Sequence, residues 1–68
     1  MFQNINAERA RLGMTNMDLA ARLNVTDKTL RNWMTGKTEI PAAKIVEMAK
    51  LFRCSTDYLL GVDGSTQN

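Results

Sequence analysis

Histidine is absent from the 68 residues, which removes the commonest general base and the commonest metal ligand. A single cysteine, Cys54, has no partner for an internal disulfide and cannot build a zinc cage, so a secreted disulfide scaffold is excluded. Proline occurs once, at Pro41, and serine only at Ser55 and Ser65. The carboxylates are scattered without paired spacing, and no glycine-rich phosphate loop is present. These absences argue against an enzyme and imply no metal, no cofactor and no small-molecule substrate. No run approaches about 18 apolar residues and no basic stretch leads into an apolar one, so neither a membrane span nor a signal peptide is expected. No segment alternates apolar and polar residues over a strand length.

What is present is a small helical domain. Hydrophobic content of 44% with 24% charge is that of a globular chain. At this length about 60% of the unfolded surface is buried, so the core is small. Helical periodicity runs through most of the sequence. Residues 3–12 set Ile5 and Leu12 seven apart on one face, and Gly13 follows as a stop. Thr15 caps a second helix over 16–23, with Asp18 in its first turn and Leu19, Ala20 and Leu23 facing inward. Asn24 tolerates a left-handed backbone better than any residue but glycine. Thr26 caps a third helix over 27–35, whose Leu30 and Trp33 share a buried face, and Gly36 stops it. Pro41 opens a fourth helix to Phe52, with Ile45, Met48, Ala49 and Phe52 as its core stripe. Ser55 caps a last short helix, 56–60, closed by Gly61. The fold class expected is all-α, a compact five-helix bundle over residues 1–61. Residues 62–68, polar and rich in glycine and serine, read as a tail or the start of a linker.

Charge is unevenly placed. Residues 1–34 hold five basic and three acidic side chains, whereas residues 35–68 hold four of each, so the net +2 lies in the first half. An excess of that size permits an anionic partner and says which half would face it.

The informative window is 16–35. Two short helices flank the turn Leu23-Asn24-Val25-Thr26. A helix-turn-helix needs a small residue at the crossing (Ala20), a left-handed residue in the turn (Asn24), and apolar residues that lock the crossing (Leu19, Leu23, Val25, Leu30, Trp33). All these requirements are met in one 20-residue stretch.

On these residues the sequence resembles the phage repressor and Cro type of helix-turn-helix, a lambda-repressor-like DNA-binding domain. The likeness runs through Gly13-Met14-Thr15-Asn16, Leu19-Ala20, Asn24-Val25-Thr26, Leu30, Trp33 and Gly36-Lys37. It continues through Ile40-Pro41, Met48-Ala49, Phe52 and Cys54 to Gly61. The resemblance implies a transcriptional regulator, a repressor, that is cytoplasmic, binds double-stranded DNA as a homodimer, and docks its third helix in the major groove. It puts base reading on Asp27, Lys28, Thr29 and Asn32, and phosphate contacts on Asn16, Thr26, Arg31, Lys37 and Thr38. The chemistry suits part of this: Lys28 donates to guanine O6 and N7, Asn32 pairs with adenine, the Thr29 methyl meets thymine, and Asp27 accepts from cytosine N4. Tyr58, Leu59, Leu60 and Val62 either bury against the core or form a dimer patch.

The sequence departs from that family in three places. Asn16 stands where glutamine is usual, and Asn24 where glycine is usual. Met34 replaces a glutamate that often pairs with the helix-one arginine, here Arg9, which must find another carboxylate or turn to phosphate. Glu39 would repel a DNA backbone. A second reading from a different class therefore stays open: a protein-interaction module, an adaptor or antitoxin, that uses the exposed face of the third helix.

Overall fold

The structure, a computed structural model, describes residues 2–61. The reading of residues 62–68 as a tail, and of Val62 as a dimer contact, lies outside them. Among the described residues five helices follow one another: α1 (Gln3–Arg11), α2 (Asn16–Arg22), α3 (Asp27–Met34), α4 (Ala42–Phe52) and α5 (Thr56–Leu60). No strand occurs among the described residues.

Each connection is set by local chemistry at the helix ends. At the start of α2, the Thr15 hydroxyl accepts from the Asp18 amide at 3.1 Å and the Asp18 carboxylate accepts from the Thr15 amide at 2.9 Å, a reciprocal capping box. Thr26 and Ser55 cap α3 and α5 by the one-way bond alone, accepting from the amides of Thr29 and Tyr58. The C-terminal ends use a left-handed residue that turns the chain back onto the last carbonyls. After α2, Asn24 (φ 64°) donates its amide to Ala21 O and Val25 donates to Ala20 O. After α3, Gly36 (φ 81°) donates to Trp33 O and Lys37 to Asn32 O.

Two expectations are corrected at helix ends. Leu12 does not join Ile5 in the core: it is 42% exposed, because it sits at the C-cap one residue past α1, where helical spacing no longer assigns a face. Pro41 is not inside α4 but caps it, with an extended backbone (ψ 143°) that leaves Ala42 as the first helical residue. A fixed φ suits either position. The left-handed Arg53 (φ 58°) that ends α4 was not anticipated.

The core is wholly apolar. Ile5, Leu19, Ala20, Leu23, Leu30, Trp33, Met48, Phe52 and Leu59 form one buried cluster, and among the described residues no polar side chain is buried with them. α2 packs on α3, and Ala20, 3% exposed, sits within their shared core. α5 packs on both α1 and α4. The last three form a scaffold, and the α2–α3 pair stands against it. Trp33 is core, and Cys54 is a half-buried free thiol whose pKa burial pushes up, away from the reactive thiolate.

Candidate nucleic-acid interface

The eight residues of α3 are divided between two jobs. Leu30 and Trp33 point into the core at 1% and 5% exposure. At 100° per residue, Lys28 and Asn32 lie on the opposite side, four apart and in line along the helix. Lys28 is exposed and in no ion pair among the described residues. The Asn32 side chain is half-buried and makes no hydrogen bond to another described residue, although its backbone carbonyl accepts from both Lys37 and Thr38. An amide with both donors and its acceptor uncommitted is what bidentate reading of adenine requires.

Thr29 is half-buried on one flank of that line and is tied to the cap: the Thr26 hydroxyl donates to Thr29 Oγ1 at 2.9 Å. The Thr26 hydroxyl is thus engaged by both the amide and the hydroxyl of Thr29. On the other flank, Asp27 and Arg31 pair with each other one turn apart. Sequence placed these two separately, one as a base reader and one as a phosphate contact. The structure joins them, so each partly cancels the other's field. Both remain at the surface, Arg31 more so (69% against 29% for the side chains).

The predicted phosphate contacts sit around this helix. Asn16 is the first residue of α2, exposed and without a side-chain hydrogen bond to another described residue. Lys37 and Thr38 are exposed just past α3, folded against its C-terminal end by the hydrogen bonds their backbone amides donate to Asn32 O. With a rise of about 1.5 Å per residue, roughly 9 Å of helix separates Lys28 from Met34, the last helical residue before this pair.

Arg9 does not take the first course expected of it. It finds no carboxylate among the described residues, and it donates from Nη1 to Met14 O at 2.5 Å while its Nε is buried without a partner. The residue thus staples the α1–α2 loop to α1.

The proposed dimer patch is also divided. Leu59 is fully buried in the core and has no surface to share. Tyr58 is half-buried and donates its hydroxyl to Glu8 at 3.3 Å, so it serves the α1–α5 contact. Burial and the nearby Glu8 carboxylate raise its pKa. Leu60 is 44% exposed and lines an apolar groove of about 650 Å³ with Ile40, Pro41, Ile45 and Val46.

Among the described residues no cluster of acidic or thiol side chains is arranged to hold a metal ion, and no helix is long and apolar enough to cross a membrane. A helix-turn-helix family model matches residues 5–59. No curated protein and no solved structure matches the chain. The matched stretch takes in all of α2 and α3, their capped turn and most of the scaffold, and the chain belongs to the Cro/C1-type helix-turn-helix family of DNA-binding domains.

Proposed function

We propose that this protein is a sequence-specific transcription regulator, a repressor, whose α3 enters the major groove of double-stranded DNA. The observation that carries the reading is the division of α3: Leu30 and Trp33 anchor it while Lys28 and Asn32, uncommitted to the protein, face away. Lys28 reads guanine and Asn32 reads adenine, with the Thr29 methyl available to thymine. Asn16, Lys37 and Thr38 hold backbone phosphates and set the register of the helix in the groove. The protein works in the cytoplasm, where the DNA is. Two copies on a two-fold site supply what one short helix and a net charge of +2 do not.

The test is a titration of wild-type protein and of Lys28→Ala, Asn32→Ala and Lys37→Ala against a duplex selected from a random pool and its single-base variants, at two salt concentrations. Lys28→Ala and Asn32→Ala should each cost about 1–3 kcal/mol at one base pair and relax the preference there. Lys37→Ala should weaken all duplexes alike and lower the salt slope by about one. Even loss across all sequences for the first two would remove α3 as the reader. No binding to any duplex would favour the interaction-module reading, in which the same exposed face meets a protein.

A further inference from the structure

A lysine near the start of a helix ordinarily extends into water, because an ammonium group is costly to bury. Lys44 does not. Its side chain is only 24% exposed, and its Nζ donates to Leu23 O at 2.7 Å across 21 positions of sequence. Glu47, one turn along α4, stands 3.3 Å from the same nitrogen and balances its charge.

The acceptor is significant. Leu23 is the C-cap of α2, and its carbonyl is one of the acceptors left over where the helix ends, at the negative end of the helix dipole. The Asn24 and Val25 amides satisfy Ala21 and Ala20, so Lys44 meets a carbonyl that the turn itself leaves unpaired. Leu23 is also three residues from Thr26, the cap of α3, and five from Lys28. A bond to this carbonyl holds the point from which α3 departs.

The other long-range polar bonds run elsewhere. Asn4 to Tyr58, Tyr58 to Glu8 and Arg11 to Phe52 join α1, α4 and α5 to one another. Among the described residues Lys44 to Leu23 is the side-chain hydrogen bond that ties this scaffold to α2 or α3. The rest of that contact is apolar packing, which is strong but non-directional. A charge-assisted bond with defined geometry fixes the tilt that packing leaves soft.

We infer that Lys44 is a positioning residue: it sets the angle of α3 on the scaffold, and through it the aim of Lys28 and Asn32, without touching DNA. The inference rests on the DNA-reading proposal. A site held about 1 Å too loosely loses its function even with every group present, so the effect falls on discrimination before it falls on folding.

The experiment compares Lys44→Met, which keeps the apolar stem, with Lys44→Arg, which keeps the donor and charge. For each, the measurements are the affinity ratio between the preferred duplex and its single-base variants, the salt slope and the melting temperature. Lys44→Met should lower the ratio by about tenfold with the slope unchanged, and Lys44→Arg should restore most of it. A lower melting temperature with the ratio intact would make Lys44 merely structural. A slope reduced by about one with the ratio intact would make it a phosphate contact. The Leu23 carbonyl ¹³C shift, measured without DNA, separates the two proposals. It should move in Lys44→Met, and an unmoved shift would overturn the tie whatever the duplexes show. A wild-type protein that favours no duplex, with the shift moving as expected, would sink the reading of DNA and leave the tie standing.

Discussion

The two halves of this molecule are held by different kinds of bond. In the α2–α3 unit almost every polar link is short in sequence: the Thr15–Asp18 box, the Asn24 turn, the Thr26 cap and the Gly36 turn each close within six residues. The scaffold relies on links that span 41 to 54 residues, from Arg11 to Phe52 and from Asn4 to Tyr58. The part proposed to meet DNA is therefore specified locally, and the part that carries it is specified by residues far apart in the sequence finding each other. The shared apolar core joins them.

The sharpest way to break this comparison is through that core. Leu30→Ala or Trp33→Ala should destabilise the whole fold by about 2–5 kcal/mol, and denaturant melts should show one transition. Lys28→Ala on the same helix should cost less than about 0.5 kcal/mol. Equal losses for Leu30→Ala and Lys28→Ala would contradict the face assignment.

The next largest effect separates the halves. Thr26→Ala removes a local cap and should cost about 1 kcal/mol. Asn4→Ala removes a bond of 2.6 Å across 54 positions and should cost about 0.5–1.5 kcal/mol. Amide hydrogen exchange should then distinguish them. The first variant should loosen α3 at its start, whereas the second should loosen α1 and α5 and spare α2–α3. Identical protection maps would show that the two regions open as one.

Two left-handed residues sharpen the point by gaining stability. Arg53 carries a side chain in a backbone region that costs about 1–2 kcal/mol for such residues, part of which glycine returns through its freer unfolded state. Arg53→Gly should thus stabilise by about 0.5–1 kcal/mol in thermal melts. Asn24→Gly should gain less, since asparagine already suits the conformation.

The smallest effects are electrostatic. Hydrogen bonds from the Thr15 amide and hydroxyl hold the Asp18 carboxyl below its ordinary 3.8. A depressed carboxyl contributes stability above its unfolded value and loses it as pH falls through the folded one, so α2 should fray only in acid below about pH 4. The raised Cys54 and Tyr58 act oppositely: stability should fall as pH climbs past their ordinary values near 9 and 10. Asp18→Asn should abolish the acid step alone, as read by far-ultraviolet circular dichroism.

The same contrast explains what the sequence makes legible. Caps, the left-handed turn at Asn24, and the inward faces of α2 and α3 follow from neighbours a few residues away. Helix bounds differed only at single cap residues such as Leu12 and Pro41. The pairing of Asp27 with Arg31 was within reach, since the two are one turn apart and of opposite charge. Lys44 was not. Nothing near it in sequence announces a carbonyl 21 residues earlier, and the same holds for Tyr58 and Glu8. Arg9 was misplaced because side-chain charge suggests a charged partner, and the structure supplies a backbone oxygen.

The division of α3 also bears on how such a protein changes over generations. Stability margins of small domains are only about 5–15 kcal/mol, and most substitutions spend some of that margin. On the proposed reading, the side chains that face DNA are not those that hold the helix down. Lys28 and Asn32 could then be exchanged while Leu30 and Trp33 stay, so a lineage reading DNA this way would drift from one operator to another without passing through an unstable ancestor. Duplicated copies would then diverge in target before they diverge in fold.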